Sequence, residues 1–207
     1  MSLIVHHLNN SRSQRILWLL EEIGAPYEIR HYQRDAVTNL APPELKAVHP
    51  LGKSPLLEDD GRVIQESGAI IEYLCERHGG DALIPPRGTD DHVRHLELLH
   101  FAEGSAMTPV LLNLYVARLG DAAAPLRPRI DEQLGAHFAY LESEIGDAGH
   151  FIGDRLSAAD IMLSFPAEVA AMNGADRYPR LAAFVAACHA RPAWQRARER
   201  GGDYFVF

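Results

Sequence analysis

The sequence predicts two units in one chain: a mixed α/β unit over residues 1–80 and an all-helical unit over residues 90–207, joined by a linker at 81–89. Three observations carry this expectation. Strand signals, meaning short β-branched runs and an Asp-Gly turn, occur only before Glu66. Leu83–Ile84 is followed by Pro85–Pro86–Arg87–Gly88, which interrupts any helix or strand. Beyond that break the apolar residues recur only with a helical period. A length of 207 residues is comfortable for two such units.

Leu3–Ile4–Val5 is a short apolar run bounded by Asn9–Asn10–Ser11 and reads as a buried strand. From Ser13 the pattern turns helical, with Ile16, Leu20 and Ile23 on one face and Gly24 and Pro26 as the stop. Tyr27, Ile29 and His31 alternate as a second strand, so the first three elements form a parallel βαβ unit of right-handed crossover. A polar stretch from Gln33 to Pro50 allows a short helical piece at Glu44–Val48. Pro55–Glu58 and Arg62–Gln65 flank Asp59–Asp60–Gly61 as a hairpin. A helix follows Ser67, carries Ile70, Tyr73 and Leu74, and ends at Gly79–Gly80.

After the linker, helices are expected over Asp90–Leu119, Arg127–Ile145, Ala158–Met172, Tyr178–Ala190 and Pro192–Arg200. Pro109 and Pro166 fall inside two of these and predict a kink or break at each. Ser157-x-x-Asp160, placed before Ile161–Met162–Leu163, is a capping box that starts a core helix and touches no substrate.

Composition removes several function classes. Hydrophobic residues make up 47% and charged ones 23%, an ordinary globular balance. The net charge of −8, from 28 acidic and 20 basic side chains, argues against a nucleic-acid surface. No run approaches the roughly 18 to 20 apolar residues of a membrane span, and the N-terminal apolar run is too short for a signal peptide. Cys75 and Cys188 provide neither a disulfide framework nor a zinc spacing, so a reducing, cytoplasmic setting without metal is expected. The 11 histidines show no ligand spacing. Gly52–Lys53–Ser54 is similar to the end of a phosphate loop, but Ala47 replaces its first glycine and Pro55 stops the helix that should follow.

Four segments resemble one known family. Asn9–Asn10–Ser11–Arg12–Ser13–Gln14–Arg15, running into Ile16–Leu17–Trp18–Leu19–Leu20–Glu21–Glu22, resembles the start of bacterial and fungal glutathione transferases. His49–Pro50–Leu51–Gly52–Lys53–Ser54–Pro55–Leu56–Leu57 resembles that family's loop containing a cis-proline, and Gln65–Glu66–Ser67–Gly68–Ala69–Ile70 its Glu–Ser pair before the third helix. Gly153–Asp154–Arg155–Leu156–Ser157–Ala158–Ala159–Asp160 resembles its helical capping motif. The resemblance spans nearly the whole chain. It implies a thioredoxin-like N-terminal domain that binds glutathione, an all-α C-terminal domain that contributes the electrophile pocket, and a homodimer.

The resemblance also implies roles. Ser11 stands where serine-using members place the hydroxyl that activates the glutathione thiol, with Asn10 and Ser13 as rivals at the same turn. A free thiol of pKa ~8.5 is only a few per cent thiolate at neutral pH. Lowering it by about two units needs roughly 2.7 kcal/mol of preferential thiolate stabilisation, which a hydroxyl donor and a helix N-terminus can supply. The competing structural role is local, since Ser11-x-x-Gln14 is itself a capping box. A cis bond at Pro55 would turn the Ser54 backbone toward the cysteinyl part of glutathione, in strand-like pairing. Lys53 would meet the glycyl carboxylate; otherwise it is a solvated loop lysine. Ser67 would receive the γ-glutamyl carboxylate beside free helix N–H groups, and Glu66 the ammonium, while Ser67 also reads as an N-cap.

Glu103 corresponds to the acidic residue that, in dimers of this family, reaches the γ-glutamyl ammonium of the partner protomer; its structural alternative is a solvated carboxylate. Met107, Leu111 and Tyr115, with the aromatic tail Tyr204–Phe205–Val206–Phe207, would line the pocket for a small hydrophobic electrophile, or are plain core. The implied activity is attack of the glutathione thiolate on an electrophile or a peroxide. Glutathione-dependent disulfide reduction and a non-catalytic binding role on the same fold are the alternatives. The cysteine-free turn weighs against the glutaredoxin-like branch, and the joint presence of Ser11, Lys53, Glu66 and Ser67 against the non-catalytic one.

Overall fold

In the computed structural model, which describes residues 3–204, strand β1 (Leu3–Leu8) is buried along its whole length. The apolar run that marks this strand in the sequence is Leu3–Val5, and the strand continues through two histidines to Leu8. Both imidazoles are nevertheless enclosed, each with a partner: His6 Nδ1 lies 2.9 Å from the Tyr32 hydroxyl, and His7 Nδ1 lies 2.8 Å from Ser13 Oγ. Such pairing offsets the hydration that a buried polar group loses. Strand β2 (Glu28–Tyr32) runs parallel to β1 on one side. On the other, β3 (Leu56–Asp59) runs antiparallel and pairs in turn with β4 (Arg62–Gln65), for a sheet order of β2-β1-β3-β4. The expected parallel βαβ unit and Asp-Gly hairpin are both formed.

Helix α1 (Gln14–Ile23) is buried from Gln14 to Leu20 and ends at Gly24, whose N–H bonds to Leu20 O. Helix α2 (Leu45–Val48) is a single turn, and α3 (Ser67–Arg77) follows β4 directly.

Residues Pro85–Ala186 form a compact unit of their own. The helix expected over Asp90–Leu119 is divided. Helix α4 (Asp90–Phe101) passes through a π-helical turn, Ala102–Ala106, into α5 (Met107–Val116), and a 3₁₀ stretch, Ala117–Ala123, follows. The π turn contains Ser105, the residue whose carbonyl a helical Pro109 would strike, so the chain widens just before the proline. Helices α6 (Arg127–Glu144), α7 (Ala158–Met172) and α8 (Pro179–His189) come next. Helix α7 runs without a break through Pro166 and is buried from Ala158 to Ala170; packing on all sides holds a helix that propensity alone would interrupt. Its capping box forms as expected. Asp160 accepts the Ser157 N–H at 2.6 Å and Ser157 Oγ accepts the Asp160 N–H at 3.3 Å.

Helix α9 (Pro192–Gly201) packs on α1, and residues from Ala187 onward group with those up to Ile84 as the other compact unit. Helical periodicity places α9 with the other helices because it reports a stripe and not the surface the stripe covers. Its arginines fix it to α1: Arg191 pairs with Glu22, and both Arg196 and Arg200 pair with Glu21. The Arg200 guanidinium also lies 3.8 Å from the Tyr27 ring centre. Phe205, Val206 and Phe207 of the aromatic tail lie outside the described residues.

Gly201 makes the closest approach. A Cβ there would stand 2.8 Å from Leu17 Cδ1, 3.0 Å from Gln14 Oε1 and 3.3 Å from His7 Nε2. Replacing Gly201 with Ala should therefore destabilise the protein by about 1–3 kcal/mol, as overpacking does, read as a lower denaturant midpoint at unchanged m-value.

A second prediction concerns acid. Burial, with His31 beside it, pushes the His7 imidazole down to about 4, and burial with His92 does the same for His95. Neither His95 nitrogen has a hydrogen-bond partner among the described residues. In the unfolded chain both rings protonate near 6.5. Between pH 6.5 and 4 the unfolded state therefore binds more protons, and stability falls as pH falls through that window, by at most about 3 kcal/mol per ring. His95→Leu, which keeps an apolar side chain of similar bulk, should flatten the slope of unfolding free energy against pH over that range. An unchanged slope would mean that His95 is not protonated on unfolding.

Candidate functional site

Strand directions gather three loops at one end of the sheet. β1 ends where the turn at residues 9–13 begins, antiparallel β3 starts there, and β4, antiparallel to β3, ends there. The pairs His6–Leu56 and Leu56–Gln65 fix the register, so Ser54 and Pro55 lie between the turn after β1 and the start of α3. Two helices, α1 and α3, begin at this end. The positive ends of their dipoles give it an electropositive backbone.

In the first turn, Asn10 takes a left-handed conformation with φ 49° and is half-buried. Arg34, just beyond β2, clasps this turn. Its backbone N–H donates to Asn9 Oδ1 at 2.8 Å, and its guanidinium donates to Asn9 O and Asn10 O, each at 3.2 Å. Ser11 Oγ lies 2.8 Å from Leu8 O and 2.7 Å from Ser13 Oγ, and accepts the Ser13 N–H at 3.2 Å. The capping box suggested by Ser11 and Gln14 is not formed. Helix α1 starts without a side-chain cap, and the buried Gln14 amide has no hydrogen-bond partner among the described residues. Ser13 is fully enclosed, at 0% exposure, whereas Ser11 keeps 5%. Both serines are buried.

In the second loop, Gly52 has φ +57°, and a Cβ there would lie 2.7 Å from Lys46 Cγ, so the chain turns tightly under the Lys46 stem. Lys53 is exposed. The Ser54–Pro55 peptide is cis. The Ser54 hydroxyl donates to His6 O at 2.9 Å and accepts the Leu8 N–H at 3.3 Å, continuing the β1–β3 ladder with a side chain. The hydrogen of that hydroxyl is thereby committed to β1.

In the third loop, Glu66 occupies the cap position of α3 with φ 68° and ψ 121°, while Ser67 is the first helical residue and not the cap. A non-glycine residue held there costs on the order of 1–3 kcal/mol and is kept where the surroundings require it. Glu66 is exposed and Ser67 buried, and neither side chain has a hydrogen-bond partner among the described residues. A helix N-terminus with a hydroxyl in its first turn and a carboxylate beside it suits a zwitterion, with its carboxylate on the helix and its ammonium on Glu66. No group of three or more His, Cys, Asp or Glu side chains among the described residues is arranged to hold a metal.

The remaining sequence candidates belong to the Pro85–Ala186 unit. Glu103 is half-buried in the π turn. Met107, Leu111 and Tyr115 recur every fourth residue along α5, yet differ: Met107 is core at 1% exposure, Leu111 is half-buried, and Tyr115 is 57% exposed. Sequence reasoning missed His7 and Arg34. His7 follows the apolar run that marks the strand and carries no motif, and Arg34 stands in a polar stretch that marks no single residue.

Residues 1–76 match the family model described as the N-terminal domain of glutathione S-transferase, and residues 124–187 match that of its C-terminal domain. Glutathione S-transferase 3 of Schizosaccharomyces pombe is 31% identical, over 97% of this chain and 88% of its own length. Among solved structures, a glutathione S-transferase from Actinobacillus pleuropneumoniae superposes with a TM-score of 0.87 at 33% identity, covering 96% of this chain and 92% of that one. A sphingomonad glutathione S-transferase, solved as a complex with glutathione, gives 0.76 at 27% identity and covers 98% and 99%. With both halves matched and the sheet order, cis-proline loop and Glu–Ser helix start in place, the chain belongs to the glutathione S-transferase family.

Proposed function

We propose that the protein binds glutathione in its first unit, holds the thiol as thiolate through Ser11, and directs it at a small hydrophobic electrophile. The observation that carries the catalytic part is the place of Ser11: it lies between the end of β1 and the start of α1, whose positive dipole end favours a thiolate. Asn10, held left-handed and clasped by Arg34 through its carbonyl, is the second candidate at the turn. For binding, the Ser54 backbone would pair with the cysteinyl part, exposed Lys53 would meet the glycyl carboxylate, and Ser67 with Glu66 would take the γ-glutamyl end. The sphingomonad relative solved with glutathione supports the choice of ligand.

For the electrophile, half-buried Leu111 and exposed Tyr115 are the two of the three α5 candidates that still reach solvent; buried Met107 would serve only as backing. Glu103 of the partner subunit, in a homodimer, would complete the γ-glutamyl contacts. Disulfide reduction is less well supported. The turn has no cysteine, both cysteines are buried, and burial pushes the Cys75 thiol up to about 12. No helix among the described residues is long and apolar enough to cross a membrane, which is compatible with a cytoplasmic enzyme.

The test is the ultraviolet thiolate band of bound glutathione, titrated across pH. Ser11→Ala should raise the apparent thiol pKa by about 1–2 units and lower kcat/KM near pH 6.5 by roughly 10- to 100-fold. A wild-type spectrum with no bound thiolate at any pH below 8 would remove the transferase reading. Ser67→Ala should instead act on binding, raising the glutathione KM about 10-fold at similar thiol pKa, the loss expected for one charge-assisted hydrogen bond.

A further inference from the structure

We propose that His7 and Ser13 are positioning residues for Ser11, forming a buried hydrogen-bond chain that fixes where the Ser11 hydroxyl stands at the end of β1. The inference rests on the reading of Ser11 as the thiolate donor. The chain starts at the Gly201 backbone, which stands beside His7 Nε2. It continues from His7 Nδ1 to Ser13 Oγ at 2.8 Å and from Ser13 Oγ to Ser11 Oγ at 2.7 Å. His7 and Ser13 are both enclosed, so neither touches a ligand.

Donor and acceptor accounting gives the chain a direction. The face of His7 toward Gly201 is Nε2. A neutral imidazole carries one hydrogen; with it on Nε2, aimed at the Gly201 carbonyl, Nδ1 is left as an acceptor. Ser13 then donates to Nδ1, because its other acceptor, Leu8 O, is farther away at 3.3 Å. Ser13 therefore shows Ser11 a lone pair. The single hydrogen of Ser11 has two neutral acceptors near it, Ser13 Oγ at 2.7 Å and Leu8 O at 2.8 Å. A thiolate competes with both, since a hydrogen bond to an ion is roughly twice as strong as a neutral one. When that hydrogen turns to sulfur, the Ser13 N–H still donates to Ser11 Oγ, and His7 keeps Ser13 in place. Without the Ser13 hydroxyl, Ser11 Oγ keeps only Leu8 O and the Ser13 N–H, and donation to sulfur breaks the first of these.

The same chain has the form of a route for the thiol proton to reach His7, and magnitude decides against it. Burial holds the imidazole at about 4, whereas a thiol ordinarily releases its proton near ~8.5, so that transfer is uphill by roughly four powers of ten. His31, edge-on to His7 with ring centres 5.8 Å apart, opposes a second positive charge there. His7 orients; it does not accept.

The experiment is a double-mutant cycle on the glutathione thiol, using Ser11→Ala, Ser13→Ala and the pair, with thiol pKa and glutathione Kd both read. Ser13→Ala should leave about 3- to 10-fold less thiolate at pH values below the wild-type thiol pKa, with Kd nearly unchanged, and should add nothing once Ser11 is already Ala. If Ser11→Ala shifts the titration and Ser13→Ala does not, the chain is overturned while the Ser11 reading stands. If Ser11→Ala itself causes no shift, the reading beneath it fails and the proposal goes with it. A Ser13→Ala shift that persists without Ser11 overturns the proposal as well. Wild-type protein gives an independent check should Ser13→Ala not fold: nitrogen NMR should find His7 as the Nε2–H tautomer, with Nδ1 responding to glutathione. An Nδ1–H tautomer overturns the direction of the chain.

Discussion

A strand enclosed on both faces must satisfy every polar atom it carries from within the protein, and β1 carries two imidazoles. This constraint organises the first unit. The demand of His6 draws in Tyr32 from β2 and Glu58 from β3, the two neighbouring strands. The demand of His7 reaches in the opposite direction, into the turn before α1 and across to the end of α9. Apolar residues in these two places would leave the sheet equally hydrophobic but would remove the ties that give its loops one geometry.

The same economy appears wherever backbone leaves the sheet. Ser54 extends the β1–β3 ladder with its hydroxyl, so the strand pairing runs to the edge of the cis-proline loop without an unsatisfied group. Arg34 does for the Asn9–Asn10 carbonyls what a further strand residue would do. Two of the three loops at the site are thus tied by a side chain to a distant part of the sequence. Ligand-facing groups on such a rim can be few, because the rim itself is rigid.

Much of this was legible in the sequence. Period-2 and period-3.6 patterns, the Asp-Gly hairpin and the proline linker give the α/β unit followed by helices, and the Ser157–Asp160 box gives the start of α7. The legible features are local, where a few adjacent residues contain the whole physical argument. What was not legible depends on enclosure. His6 and His7 read as polar because sequence shows a side chain's chemistry and not its partner. The Ser11–Gln14 box has the right spacing, yet Ser11 is engaged by Leu8 and Ser13 and the amide of Gln14 turns inward. Helix α9 has an ordinary amphipathic pattern that cannot say which unit it covers. Pro109 and Pro166 are alike in sequence and different in outcome, because one follows a π turn while the other lies in a helix packed all round.

The attachment of α9 to α1 also bears on how the chain is made. The ribosome delivers residues up to Ile84 first, then the continuous stretch Pro85–Ala186, and only afterwards the helix whose glycine closes on His7 and whose arginines meet Glu21 and Glu22. Until α9 has been made, the earlier unit lacks the helix that covers α1. The unit whose residues are made first is completed by a helix made after the other unit.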